Sequence, residues 1–456
     1  MIPHIRYCRA RGAVALAPLA AAMTLCFSAN GYAATILVNS ASDVSVSGKC
    51  TLLDAVAAVN GLTAVNACAA GNGNNDTIDL SFFSIPTAIT FALASSVDGK
   101  SALALTRAAT IRGNLDSGGT PLVTIARSSV SGTPKFRLLA SSANVTVQGL
   151  ALSGGLPHGR GGAIYASGAA NITISHSVIS GNSTQAYSGG GVDAESGSIT
   201  INSSSITNNN VTRYGGGVYT PNAGTITLNN STVSYNTAGG KGGGVASFQG
   251  NVVVNGSTLA SNYAQKGGGI YAHQDVTLTN STISGNGASY YGGGVYARSR
   301  AFVYFSTIAN NMISSPSMGA GGGLATSPSQ SVGAYFRAVA SIFASNSKND
   351  VSVGDYATCS GNNNIIRVFQ GCAPSGNNTC DPQLGPLLDN GGPTLTRSLS
   401  TGSCAINAGP ANAPGNIHTD QRGAKFLRKF GAATDIGAYE VQPNERIFYD
   451  GFESGP

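Results

Sequence analysis

Short runs in which apolar and polar residues alternate recur along the middle of the chain at a nearly constant interval. ITISHSVISGN begins at Ile172, ITINSSSITNN at Ile199 and ITLNNSTVSYN at Ile226, followed by VVVNGSTLASN at Val252 and VTLTNSTISGN at Val276. Degenerate copies lie near Phe302 and Phe336, and a precursor, VTVQGLALSGG, begins at Val145. Alternation such as Ile226-Thr227-Leu228 is the mark of a strand with one face turned inward. Between these blocks a Gly-Gly-small triplet and an aliphatic residue recur at Gly161, Gly189, Gly215, Gly242, Gly267, Gly292 and Gly321, with spacings of 28, 26, 27, 25, 25 and 29. Repeats of this length indicate a solenoid or array. No 3.6-residue period is present, and β-branched residues and glycine dominate, so helix is disfavoured. The pattern predicts an all-β chain: a single-stranded parallel β-helix with about three short strands per coil of roughly 25 residues. The general crossover preference makes it right-handed.

Stacked coils pair each strand with the one above and below at about 4.8 Å, leaving only the ends open. The glycine triplets supply backbone angles that other residues resist and let coils approach closely. Asn182, Asn209, Asn236, Asn262, Asn286 and Asn310 fall at one turn per coil, where their amides can hydrogen-bond along the axis; this ladder reads as structural. At the front end, Leu52, Leu53, Val56 and Val59 can share one helical face, and Thr51 with Asp54 resembles a capping box. A helical plug on the first coil is therefore expected.

Composition sharpens the picture. The chain of 456 residues has 62 glycines, 10% charged residues and no tryptophan, yet 42% are hydrophobic, more than a disordered chain would carry. Arg6, Arg9 and Arg11 precede an apolar run over residues 13–27, and Gly31 and Ala33 suit a cleavage site, so 1–33 reads as a signal peptide. The run is short and broken by Pro18, which disfavours a membrane anchor. Residue 25 is leucine, where lipidation of Cys26 would require a small residue. Removing the leader takes three of the 25 basic residues and no acidic ones, leaving a net charge of +3. That is too mild to imply nucleic acid. Cys50, Cys68, Cys359, Cys372, Cys380 and Cys404 remain, an even number that reads as disulfides in an exported chain. Cys50 is expected to pair with Cys68; the last four allow three pairings. The long middle has no cysteine, so the bridges would tie the ends.

CTLLDAVAAVN, from Cys50, resembles the CSLREA signature of exported bacterial β-helix proteins, with Leu53 where that family has arginine. The stretch from Thr77 through TIRGN and VTVQGLALSGG is similar to the first coils of those proteins. Near the other end, LGPLLDNGGPTLTRSLSTGSCAINAG from Leu384, TDQRG from Thr419 and DIGAYE from Asp435 resemble a choice-of-anchor Q domain of surface proteins. The tail NERIFYDGFESGP is similar to a short motif of some proteobacterial exported proteins. With the leader at 1–33, these resemblances imply a cap at 34–76, coils at 77–357, an anchor-like region at 358–441 and a tail at 442–456. They imply export to the extracellular space or outer cell surface, with membrane attachment only through the C-terminal region, and say little of activity.

Parallel β-helices include enzymes that cleave polysaccharides, and such chemistry needs paired carboxylates or a base beside a cation. Between Gly161 and Gly323 the acids are Asp193, Glu195 and Asp275. With Val192 pointing in, Asp193 and Glu195 would point out about 7 Å apart, within the range of an inverting hydrolase. The alternative is a solvated acidic pair, and one pair without a surrounding cluster leaves no catalytic residue assigned. The same outward stripe is richer as a binding surface. On successive coils it reads Tyr165, Asp193, Tyr219, Ala246, Tyr271 and Tyr296, and two residues further on the last two coils carry His273 and Arg298. The turns before the triplets carry Arg160, Tyr187, Arg213, Tyr214, Lys241, Lys266, Tyr290 and Tyr291. Rings stack on sugar faces and cations pair with acidic groups, so an extracellular polysaccharide or cell-surface glycan is the expected partner of an adhesive monomer. The competing reading is a tyrosine ladder that stabilises the stack, and a third is a structural spacer. No cofactor or metal is expected: calcium-binding repeats, phosphate loops and zinc spacings are missing from the sequence.

Overall fold

Each repeat block folds as the alternation requires. Within the coil at residues 172–194, Ile172–Ser175 and Val178–Ser180 form two strands, Ser183–Thr184 a short third, and Val192–Ala194 a fourth after the glycine triplet. In the computed structural model, which describes residues 32–95, 98–315, 319–327, 334–355, 357–413 and 417–442, stacking of these coils gives parallel sheets of 12, 11 and 12 strands. A fourth parallel sheet of six strands occupies the turn, one element more per coil than the alternation predicted. The solenoid's strands begin at Thr35–Leu37, which pairs in parallel with Asp76–Asp79, and run to Asn377–Asn378. Nearly all of the expected signal peptide and of the C-terminal tail lies outside the described residues.

Inward residues stack in register: Ile172, Ile199, Ile226, Val252 and Val276 lie side by side in the first sheet and are fully buried. The first glycine of every triplet has a positive φ, from 60° at Gly292 to 70° at Gly189, a left-handed conformation that a side chain resists. The second glycine is constrained by the neighbouring coil instead. A Cβ on Gly190 would collide with the Gly216 carbonyl, and one on Gly216 with that of Gly243.

The asparagine ladder forms with one change of rung. The Asn236 side chain donates to the Ile206 carbonyl (2.8 Å) and to Asn262 Oδ1 (2.9 Å). Its own oxygen accepts from the Asn209 amide and side chain, both at 3.0 Å. The sixth rung is Asn311 and not Asn310: Asn311 is buried and accepts from Asn286, while Asn310 is exposed with φ at 58°. The ladder continues to Asn346 and ends on the buried Asp350 carboxylate. A second ladder runs beside it, each backbone N–H donating to the serine hydroxyl one coil on, as in Ser177 to Ser204 and Ser204 to Ser231.

The ends are closed as expected. Helix Leu52–Gly61 caps the first coil, with Thr51 as N-cap accepting from the Asp54 amide. Leu52, Val56 and Val59 are buried against the core, and Cys50 pairs with Cys68. The C-terminal cysteines pair Cys359–Cys372 and Cys380–Cys404, choosing among the three possibilities. From Thr394 onward the chain lies along the third sheet. Thr394 donates to the Gly256 carbonyl (3.0 Å), Thr282 to Gln421 Oε1 (2.6 Å), and Ala438 N–H to Thr307 Oγ1 (3.1 Å). The polar residues of TDQRG and DIGAYE hold this segment together. Arg422 is buried between the Phe426 and Tyr439 rings, 3.8 Å from each centroid, and pairs with Asp420 at 2.7 Å.

Candidate functional site

The outward file of the second sheet is the stripe singled out above. Tyr165 lies beside Asp193, Asp193 beside Tyr219, Tyr219 beside Ala246, and so on through Tyr271 and Tyr296 to Ala325. The turn preceding each triplet folds over this file. A Cβ on Gly215 would lie 2.6 Å from Tyr219 Cβ, and one on Gly189 as close to Asp193 Cβ.

This cover changes the character of the stripe. Tyr219, Tyr271 and Tyr296 are buried at 7%, 4% and 6% exposure, so they do not form the open aromatic surface that alternation suggested. They make a second apolar cluster outside the main core, joined by Tyr214, Phe248 and Tyr291. Tyr271 and Tyr296 stack at 5.6 Å, and Phe248 packs on Tyr214 at 4.8 Å and on Tyr271 at 5.3 Å. Burial pushes the Tyr219 and Tyr271 hydroxyls up to about 12. The tyrosine ladder that stabilises the stack describes this half of the stripe.

The cations remain at the rim. Lys241 Nζ lies 4.9 Å from the centroids of both Phe248 and Tyr271, and burial with repulsion from Lys266 and Arg298 holds its ammonium below the usual lysine range. Lys266 lies 5.1 Å from the Tyr291 ring. Arg213 and Arg298 are exposed, and Tyr290 is half-buried. Arg298 reaches His273 Nε2; since arginine only donates, His273 carries its proton on Nδ1 and gives it to the Phe248 carbonyl at 2.8 Å.

The acidic pair is not the open pair expected. Asp193 points out of the core but is wholly buried, because Arg160 folds over it with a two-pronged contact: Nε to Oδ2 at 3.0 Å and Nη2 to Oδ1 at 2.7 Å. Burial pushes the Asp193 carboxyl up, and the Arg160 guanidinium opposes that rise. Glu195 is part-exposed. It sits 3.5 Å from Arg160 Nη1 and accepts from the Gly168 amide at 2.8 Å. Both carboxylates are thus committed to local partners, and neither faces a groove as a free acid or base. Among the described residues, no group of three or more His, Cys, Asp or Glu is placed to hold a metal ion.

Where the stripe leaves Tyr165 toward the N-terminus, the file falls to Ala140 and Ala104, and no further ring follows. There the edge opens into a cleft of about 510 Å³. Lys100, Lys135, Arg137, His158 and Arg160 line it, with the rings of Tyr165 and Tyr187. Tyr187 is 45% exposed, and Lys135 donates to Gln185 Oε1 at 2.8 Å. Arg137 is 6% exposed and packs its guanidinium 4.8 Å from the Tyr165 centroid, with Arg160 at 5.4 Å from the same ring. Of these residues the sequence pattern had singled out Tyr165 and Tyr187, and had noted Arg160 in its turn. Lys100, Lys135 and Arg137 lie before the first glycine triplet, spread over about 40 residues, and only coil stacking brings them together.

Comparison with protein families matches residues 111–275 to the family described as "Right handed beta helix region". The matched stretch holds Arg137, Arg160 and the file from Tyr165 to Tyr271, and its hand agrees with the crossover preference. No curated protein and no solved structure matches the chain. Among the described residues no helix is long and apolar enough to cross a membrane.

Proposed function

We propose that this protein is exported and holds an acidic polysaccharide along the turn edge of the second sheet, as an adhesive or glycan-binding protein at the cell surface. The observation that carries this reading is an imbalance of charge. Lys100, Lys135, Arg137, Arg160, Arg213, Lys241 and Lys266 gather on one edge beside tyrosine rings, while of its three carboxylates Asp193 and Glu195 are already bound to Arg160 and Asp98 to the Lys100 and Ser101 amides. Lys241 lies beside Lys266 on adjacent coils, so charges repeat at about the 4.8 Å coil spacing. A repeating anionic chain suits such a row better than a compact ligand does. Three disulfides fit an oxidising compartment outside the cytoplasm.

The test is a glycan array probed with residues 34–456, repeated with an Arg213→Ala, Lys241→Ala, Lys266→Ala variant. Uronate-containing or sulfated chains are expected to bind, with affinity falling steeply as salt rises, and the triple variant to lose at least tenfold. Equal binding of neutral glycans, or duplex DNA binding as tightly as any glycan, contradicts the proposal. Cleavage of a bound glycan that disappears in Asp193→Ala would replace it with an enzymatic one.

A further inference from the structure

Arg137 stands apart from the other buried cations of the solenoid edge. It begins the strand Arg137–Ser141, between Phe136 and Leu138, both fully buried in the core. Its guanidinium nonetheless lies beside the outward Tyr165 ring, under the turn at 157–160, and the side chain is itself buried. Its Nε has no hydrogen-bond partner, and among the described residues its guanidinium makes no ion pair or hydrogen bond. Asp98 and Asp193 are the nearby negative charges, but each is taken. Asp98 accepts from the Lys100 and Ser101 amides and the Ser101 hydroxyl, and Asp193 is gripped by Arg160.

A buried, unpaired cation is unfavourable unless something compensates it. The Tyr165 face at 4.8 Å supplies part of that compensation, but a ring cannot satisfy the five N–H groups of a guanidinium. Gly159 lines the cleft beside Arg137, and any side chain there would press on the guanidinium, since a Cβ would lie 2.7 Å from Arg137 Nη2. Lys100 and Lys135 line the same cleft and add positive potential. Burial holds the Arg137 guanidinium below the usual arginine range, as an unneutralised charge would.

We infer that Arg137 is an oxyanion-binding subsite, taking the carboxylate or sulfate of an acidic sugar in its planar fork while the sugar ring lies against Tyr187 at the cleft mouth. The inference rests on the glycan-binding reading for the nature of the ligand, but not for the pocket's affinity for an anion. Carboxylate and sulfate share the paired oxygens that a guanidinium recognises, so both are tested.

The experiment measures thermal midpoints and binding for the wild-type chain, Arg137→Met and Arg137→Lys. The probes are galacturonate oligosaccharides, their carboxyl-reduced counterparts, a sulfated oligosaccharide, and acetate or sulfate ions alone. Without ligand, Arg137→Met is expected to melt at or above the wild-type temperature, because the replacement removes an unpaired buried charge at similar volume. It is expected to bind the preferred acidic oligosaccharide at least tenfold more weakly, with Arg137→Lys in between. Stronger binding of galacturonate than of the sulfated chain assigns a carboxylate, and the reverse a sulfate. If acetate or sulfate stabilises wild type but not Arg137→Met while no oligosaccharide binds, the subsite stands and the glycan reading falls. If Arg137→Met binds acidic glycans as wild type does while the Arg213, Lys241, Lys266 variant does not, the subsite is refuted and the glycan reading stands. A wild-type chain that responds to no anion overturns both. Should Arg137→Met fail to fold, Arg137→Lys decides alone, since unchanged affinity there excludes recognition by the fork.

Discussion

Between Tyr214 and Tyr296 the turn edge of the second sheet is filled by rings, whereas between Gly99 and Tyr187 it opens into a basic cleft. Both stretches keep an inward aliphatic residue and an outward side chain in register along one sheet, and from Gly161 onward each coil also carries the left-handed glycine. The difference lies in what the outward position holds. Tyr219, Tyr271 and Tyr296, with Phe248 beside them, fill the space under the turn, and the cations above lie on aromatic faces. On the other side, the file passes from Asp193 through Tyr165 to Ala140 and Ala104. Too little side chain is left to fill the turn, and the guanidinium of Arg137 stays without a hydrogen-bonding partner. One scaffold thus yields a self-satisfied edge where the rings are large and a receptive edge where they run out.

Both stretches depend on the ladder beneath them, and breaking it should have the largest effect. Asn236→Ala removes the oxygen that accepts from the Asn209 backbone and side-chain amides, and the side-chain donor to the Ile206 carbonyl and to Asn262 Oδ1, which keeps only the Asn236 backbone N–H. At about 1–3 kcal/mol for each buried group left unpaired, a loss of roughly 3 kcal/mol or more is expected in urea unfolding. A loss below about 1 kcal/mol would show that the ladder is dispensable.

Next come the rings, which should separate the two stretches cleanly. Tyr271→Ala removes a buried ring and should cost about 3 kcal/mol while leaving acidic-glycan binding within a factor of about two. Tyr187→Ala, at an exposed position, should cost less than about 0.5 kcal/mol and weaken binding about tenfold, which corresponds to 1.4 kcal/mol. If the two variants exchange these effects, the division between closed and open edge is wrong.

A pH series tests a third, acid-bearing stretch against both. Burial and the Asp435 carboxylate push Glu440, in the C-terminal segment, from 4.5 up to about 8. The folded state therefore holds a proton that the unfolded chain has already lost, so Glu440's contribution to stability is full below about 4.5, declines as pH rises, and is gone above about 8. Glu440→Gln should remove that slope from urea midpoints measured between these limits, and an unchanged slope would assign it elsewhere. The smallest effect belongs to the closed edge's cations: Lys266→Ala should cost only about 0.5 kcal/mol through its contact with Tyr291.

Much of the architecture was legible because the glycine triplets and alternating blocks repeat with little variation, and a solenoid depends on local pattern. What failed to show follows from contacts between coils. Asn310 and Asn311 are adjacent and chemically identical, so only the stacking register distinguishes the exposed residue from the buried rung. Alternation tells which side chains leave the core, but not that the next turn folds over them; hence Tyr219, Tyr271, Tyr296 and Asp193 were expected in solvent and lie buried. The serine ladder had a signal in the sequence, since Ser177, Ser204, Ser231, Ser257 and Ser281 hold one place in successive blocks. Arg137 had none, because KFRLL lies outside the repeats and its partners in the cleft come from three separate stretches of chain. The polar motifs near the C-terminus were legible as motifs, but not as the buried network that seats this segment on the third sheet.

Hydrogen–deuterium exchange of the full mature chain, with and without an acidic oligosaccharide, tests most directly whether the open edge is the binding surface. Ligand-dependent protection is expected in the segments around Lys100, Arg137, Arg160 and Tyr187 and along the cation row from Arg213 to Lys266, with the third sheet unchanged. Protection confined to the first or third sheet, or none at a saturating concentration of a chain that binds, would contradict it.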